Sequence, residues 1–295
     1  MIIIKISGGL GNQLFQYALA KSLEDIKKLK VKIDVSNFKI VSGVTKRNFC
    51  LDKFNITLQT AEAIDFKNIG VPYPLSENKI NKLVFKVREF FRIKSKKKVL
   101  IEHDLNYKKS IFNTIDNRYI CGSWTSPKYF YNVKNDLIKE IQPNFKMSNS
   151  FEETLIQIKR NNSVSIHIRR GDYIKYQHKF EILSLDYYKK AIETIKNKTK
   201  DPLFFIFSDD ITYVKENFKH FFNKNIIYVS DNKFNDYEEL WLMKSCKNNI
   251  IANSTFSWWA AWLNQNPNKI IIAPSRYRSD NKSIDDLIPE SWIKI

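Results

Sequence analysis

Apolar residues along this chain alternate between short continuous runs and stripes that recur at three- and four-residue steps. A short run bounded by turn-formers predicts a strand buried on both faces, and a stripe predicts an amphipathic helix. The opening reads strand, turn, helix, strand. It runs through Ile2 to Ile6, the turn Ser7-Gly8-Gly9-Leu10-Gly11-Asn12-Gln13, a stripe of Leu14, Phe15, Ala18, Leu19, Leu23 and Ile26, and then Val31 to Val35. Such a βαβ opening predicts a parallel sheet with a right-handed crossover. From 36 to 120 the pattern is faint. Pro72 and Pro74 mark a loop, and Val99 to Glu102 and Tyr119 to Cys121 read as short strands. Around Gln142 to Ser150 the pattern lapses into turn-formers, which predicts two domains, 1–147 and 148–295. In the second half, runs at 163–168, 203–207, 226–229, 249–251 and 270–273 alternate with stripes near 186–197, 211–222, 236–246 and 254–265. The fold class is α/β, with parallel sheets covered on both faces.

The first four runs of the second half are each followed by polar residues. Arg169-Arg170-Gly171-Asp172 follows the first, Ser208-Asp209-Asp210 the second, Ser230-Asp231 the third and Asn253-Ser254-Thr255 the fourth. In an open parallel sheet these all gather at the carboxyl edge, where ligands bind. A guanidinium offers a planar fork of donors and a permanent charge, which suits phosphate. Asn253, Ser254 and Thr255 are N-cap types ahead of a helix whose free N–H groups favour an anion. Solvated turns and plain helix caps are the bland alternatives, and the convergence of the set argues against them. Trp258, Trp259 and Trp262 read as helix packing. Asp209-Asp210 lacks a third ligand, so no metal site is assigned. The pair reads as hydrogen bonding to a ligand or as capping. The N-terminal glycine turn lacks the Gly-Lys-Ser/Thr ending of a P-loop and does not complete the dinucleotide pattern. Its glycines still permit close backbone approach and positive φ. His103, His178 and His220 have no partner at metal spacing and read as surface residues.

Composition adds a charge. The formal net charge is +18, which suits nucleic acid, anionic lipid or phosphorylated substrates. A genome-wide bias toward Ile, Lys and Asn would also produce it. The excess is uneven. Residues 79–98 carry nine basic side chains (Lys79, Lys82, Lys86, Arg88, Arg92, Lys94, Lys96, Lys97 and Lys98) against one acid, Glu89. Ile80, Leu83, Val84, Val87, Phe90 and Phe91 fall on one helical face of the same segment. The favoured reading is a helix that packs this face on the first domain and leaves its lysines in solvent. Peripheral contact with an anionic membrane is the alternative. No apolar run reaches the length of a transmembrane helix. The start lacks the basic leader, long apolar region and cleavage site of a signal peptide, and three widely spaced cysteines suit free thiols in a reducing cytoplasm. A cytoplasmic protein, at most peripheral at the inner face of a bacterial membrane, is expected. The sequon Asn253-Ser254-Thr255 would then never meet the glycosylation machinery.

Together the segments Gly8–Ala18, His167–Tyr173, Phe207–Asp210 and Ile251–Trp262 resemble the bacterial α-1,2-fucosyltransferases of glycosyltransferase family 11. Gly122–Phe130 and Lys269–Pro274 match more weakly, and 36–100 carries no motif. The resemblance implies a GT-B fold, two Rossmann-like domains facing across a cleft. The acceptor would lie on the first and GDP-fucose on the second. It implies GDP-β-L-fucose as donor substrate, a galactose-terminated glycan as acceptor, inversion at the anomeric carbon, and neither metal nor cofactor. Carried over by position, Arg169 is similar to the arginine that holds the β-phosphate. Ser254 and Thr255 would add donors to the phosphates beside Asn253, and His167 and Asp172 match the motif that contacts donor and cleft. Asp209 or Asp231 would read guanine or ribose, and Gly9, Gly11 and Asn12 would face the donor from the first domain. No general base stands out: Asp172 is a candidate, or it orients Arg169. Two other readings stand beside the implied role in O-antigen synthesis. One is a fucosyltransferase of α-1,6 or protein O-linked type. The other is a nucleic-acid-binding protein, against which stands the absence of a known binding module.

Overall fold

The computed structural model describes residues 1–39, 47–75, 79–93, 96–102, 105–178, 180–222, 225–232, 234–279 and 286–295. Lys94 and His103 lie outside them. The chain forms two compact units that divide between Asn144 and Phe145, and Asp286 and Leu287 go with the first. The turn-formers alone would put the boundary after 147. Side chains decide otherwise. Phe145 packs on Phe151 and Tyr237, with ring centroids 5.8 and 4.8 Å away, all in the second unit. The N–H of Asn144 donates to the Lys53 carbonyl of the first.

The first unit holds β1 (Ile2–Lys5), α1 (Leu10–Lys27), β2 (Val31–Asp34), α2 (Ala63–Ile69), α3 (Lys79–Phe91), β3 (Val99–Ile101), β4 (Arg118–Cys121) and α4 (Lys134–Glu140). Its four strands are all parallel, in the order β2-β1-β4-β3, with Ile2 opposite Val31 and Arg118. Ile2, Ile3 and Ile4 are fully buried, as an apolar run covered on both faces should be. The anticipated βαβ opening and both short strands are present. The helices α2 and α4 are seven residues each, about two turns, too short for a clear periodic signal.

One expectation fails here. α3 does not pack its apolar face on the unit. Ile80, Phe90 and Phe91 are 74%, 77% and 79% exposed. The helix is held instead by its opposite face. Phe85 packs against the cluster of Phe66, Ile69 and Tyr119, and Lys82 donates to the Pro74 carbonyl.

The second unit holds α5 (Asn149–Arg160), β5 (Asn162–Ile168), α6 (Leu185–Lys198), β6 (Pro202–Ser208), α7 (Ile211–Phe218), β7 (Ile226–Tyr228), α8 (Asp236–Ser245), β8 (Asn248–Ile250), α9 (Thr255–Leu263), β9 (Ile271–Ala273) and β10 (Ile293–Lys294). All five anticipated strands and all four anticipated helices are there. α5 and the two-residue edge strand β10 are additions. The sheet is parallel throughout, ordered β10-β9-β8-β5-β6-β7. Counted within the unit this is the Rossmann order 3-2-1-4-5-6, whose direction reverses between β5 and β8. The reversal leaves a crevice beyond the carboxyl ends of those two strands. Trp258, Trp259 and Trp262 are buried in helix packing, with Trp258 and Trp262 stacked 6.1 Å apart.

Candidate functional site at the sheet reversal

The strands β5 and β8 pair with Ile166 opposite Ile250. Their carboxyl ends therefore deliver Arg169 and Asn253 to the crevice side by side. Arg169 is clamped from two directions. Its guanidinium lies 2.7 Å from Asp172 Oδ1 and 3.1 Å from Asp209 Oδ2. It also sits 5.6 Å from the centre of the Tyr173 ring. Burial alone would weaken its positive charge, but the neighbouring Asp209 and Asp172 carboxylates outweigh that and raise its pKa. The cation is thus permanent and fixed in direction. Gly171 makes the clamp compact: a Cβ there would stand 2.8 Å from Asp209 Oδ2.

Arg170 serves the frame. It pairs with Asp210 at 2.7 Å and lies 3.9 Å over the Tyr213 ring. Its N–H donates to Asp209 Oδ1. Asp209 therefore has one oxygen on the Arg170 backbone and the other on Arg169. Asp210 caps α7 by accepting from the Tyr213 N–H. The adjacent carboxylates position arginines and a helix. Among the described residues no three His, Cys, Asp or Glu side chains gather as a metal site.

On the other wall, Ser254 is the N-cap of α9 and accepts from the Phe256 N–H. Thr255 opens that helix. Asn253 is buried. Its amide donates to the carbonyls of Glu181 and Tyr277, and its Oδ1 has no partner among the described residues. The Tyr173 hydroxyl donates to the Asn253 carbonyl at 3.0 Å, which joins the two walls. His167 is buried against Phe256, and its Nδ1 also lacks a partner among the described residues. Burial, with help from Arg169, pushes its pKa down to about 3. The imidazole is neutral at physiological pH. Unpaired buried polar atoms are uncommon and call for an explanation. These two lie in β5 and just after β8, the strands whose carboxyl ends carry the site.

A family description, Glycosyl transferase family 11, matches residues 1–295. The chain belongs to this family. It is 34% identical over 305 residues to the O-antigen biosynthesis glycosyltransferase WbnK of Escherichia coli, covering 98% of this chain and 99% of that one. It is 33% identical over 310 residues to an α-1,2-colitosyltransferase of Escherichia coli, covering 100% and 99%. Among solved structures it shares its fold with POFUT1 in complex with GDP. There the TM-score is 0.50 at 11% identity, over 92% of this chain and 97% of that one. The two parallel α/β units are those of a GT-B enzyme.

Further residues complete the picture of this family 11 glycosyltransferase. Asp231 is 40% exposed and pairs with Lys215 at 2.6 Å, so it stands apart from the arginine clamp's own bonds. Glu239 on α8 was not singled out by sequence, yet it sits under the same edge. It accepts from Ser230 Oγ at 2.6 Å, and that oxygen accepts from the Ser208 N–H. Burial raises its carboxyl to about 7, Asp236 and Asp209 adding to the effect. An acid in the first turn of a helix ordinarily serves the dipole, so nothing in the sequence marked it. In the first unit, only Gly8 of the glycine turn uses a positive φ, +80°. A Cβ there would stand 2.9 Å from Asn12 Nδ2. Gly9 is the N-cap of α1, and Gly11 and Asn12 lie in its first turn. The turn is tied by Gln13, which donates to the Gly8 and Asn48 carbonyls, and by Gln16, which accepts from the Ser7 N–H and donates to the Gly122 carbonyl.

Proposed function

We propose that this glycosyltransferase moves L-fucose from GDP-β-L-fucose to the 2-hydroxyl of a β-galactoside, with inversion and without a bound metal. The setting would be cytoplasmic synthesis of a surface polysaccharide of the O-antigen kind. The observation that carries the reading is Arg169, held rigid at the sheet reversal beside the N-terminus of α9. Breaking the bond to fucose places negative charge on the departing diphosphate while the sugar becomes oxocarbenium-like. A preorganised cation stabilises charge that grows only in the transition state. The fork pairs with two carboxylates at 2.7 and 3.1 Å, and the same cation would face the β-phosphate. The capped end of α9, with Ser254 and Thr255, would supply further donors. The second unit is thus the donor domain. Asn253 Oδ1 and His167 Nδ1 would meet donor hydroxyl or N–H groups.

Asp172 acts in this scheme as a positioning residue, because its carboxylate is committed to Arg169. His167, neutral and weakly basic, does not supply an efficient base at neutral pH. Leaving-group stabilisation then carries most of the rate. Asp209 orients the same arginine, and reading of the nucleobase falls to other groups on this edge.

Colitose is L-fucose lacking its 3-hydroxyl. A relative of 33% identity named an α-1,2-colitosyltransferase favours a second reading with GDP-L-colitose as donor. Both readings are tested by offering each labelled donor, with EDTA, to a panel of β-galactosides and assigning product linkage by NMR. An α-1,2-fucosyl product under EDTA is expected. A clear preference for the 3-deoxy donor would replace fucose by colitose, and loss of transfer under EDTA would overturn metal independence.

A further inference from the structure

We propose that α3 is a membrane-docking helix that lies on an anionic lipid surface. Three observations converge on that occupant. The first is the outward apolar stripe. Ile80, Leu83, Val84, Val87, Phe90 and Phe91 recur at helical spacing and are 42–79% exposed, and Ile93 just beyond is 68% exposed. Singly exposed apolar residues are ordinary, but a contiguous stripe of this size marks an interaction surface.

The second observation is how the helix is held. Phe85 packs into the first unit and Lys82 bonds to the Pro74 carbonyl. Glu89 accepts from the Val99 N–H at 2.8 Å and pairs with Arg92 at 3.1 Å. Positions 82, 85 and 89 form the inward face, so the stripe is turned to solvent by specific bonds. It is a surface of the folded unit, and the segment's single acid faces the protein rather than the stripe.

The third observation is charge complementarity. Lys79 and Lys86 border the stripe on one side and Arg88 on the other, all exposed. Lys96, Lys97 and Lys98 follow directly. An apolar stripe edged by long basic side chains is the arrangement of an interfacial helix. The rings enter the acyl boundary while the lysine and arginine stems reach up to the headgroups. Clustered Lys and Arg add attraction to anionic lipid and make binding depend on salt. A protein partner would need a matching acidic groove, and a second copy would bring these cations against one another.

The test is flotation of the 295-residue chain with vesicles of phosphatidylcholine alone or containing one-third phosphatidylglycerol, at low and high salt. We expect the protein to float with the anionic vesicles at low salt, with at least tenfold weaker partitioning to neutral ones or at high salt. Phe90→Asp/Phe91→Asp should lower anionic partitioning at least tenfold while leaving transfer to a water-soluble acceptor unchanged. Both side chains are exposed, so the fold should survive, which circular dichroism checks. Wild-type protein that stays with the unbound fraction on anionic vesicles at low salt would overturn the proposal. So would a double variant that partitions like the wild type. Concentration-dependent self-association abolished by the same variant, without vesicle binding, would assign the surface to a second copy instead.

Discussion

Replacing Arg169 by lysine keeps a charge but removes the fork that reaches Asp172, Asp209 and a ligand together. Steady-state kinetics of Arg169→Lys should show turnover at least tenfold lower, about 1.4 kcal/mol of transition-state stabilisation. Turnover near that of the wild type would remove Arg169 from its proposed role. Glu239 makes a prediction of a different kind. Its folded pKa of about 7 lies above the ordinary 4.5, so the folded state keeps a proton that the unfolded chain has lost. Stability from this group is fully present below about pH 4.5, falls as pH rises toward about 7, and then levels off. His167 acts in the opposite direction: with its pKa depressed to about 3, stability is lost as pH falls below the ordinary value of 6.5. Glu239→Gln should remove the loss at high pH. Urea titrations should find the variant more stable than the wild type at pH 8, by roughly 1–3 kcal/mol, with the difference vanishing near pH 4. A constant offset at every pH would sink this account. At this scale Arg169, Ser254 and Asn253 were legible because residue type and place after a strand coincide. Glu239 was not, because its unusual property comes from burial, and burial is invisible among the acids of a helix's first turn.

At the scale of elements, the strands were the clearest feature. A parallel strand covered on both faces tends to be apolar throughout, and Leu203–Phe207 of β6 is, whereas β5 sets Val164, Ile166 and Ile168 among Ser163, Ser165 and His167. The glycine turn was read as a place of close approach, but its two glutamines were passed over. Gln16 is 2% exposed and joins the Ser7 N–H to the Gly122 carbonyl, beyond the ends of β1 and β4. Gln16→Ala would take the side-chain partner from both part-buried backbone groups, at a cost of roughly 1–3 kcal/mol. A chemical denaturation midpoint indistinguishable from wild type would show that water replaces the amide. α3 marks the limit of periodicity as a guide. The stripe was identified correctly as an apolar face, and the expectation that it packs inward was wrong. Periodicity defines a face; which face is covered depends on Phe85, Glu89 and the residues that receive them.

For the whole molecule, assignment of the donor to the second unit has a direct consequence. Saturating GDP should slow amide exchange at 167–173, 208–211 and 253–257, and raise the thermal midpoint of the wild type. At one hundred times the dissociation constant the gain is about 2.7 kcal/mol. Protection confined to the first unit would reverse the assignment of the two domains. The strong positive charge, +18, does not act as a uniform field in this picture, since a large share is gathered on α3 and the residues after it. The sequence by itself determined the α/β class, two parallel sheets, nearly every strand of both, and the family-like motifs at the strand ends. Those features rest on local pattern: the period of apolar residues and the chemistry of the residue after a strand. Tertiary structure alone decided the strand order that places its reversal between β5 and β8, the hold of Asp209 on Arg169, the altered ionisation of His167 and Glu239, and the outward turn of α3. Each depends on contacts between residues far apart in the chain, or on how much water those contacts exclude, and no local pattern encodes either.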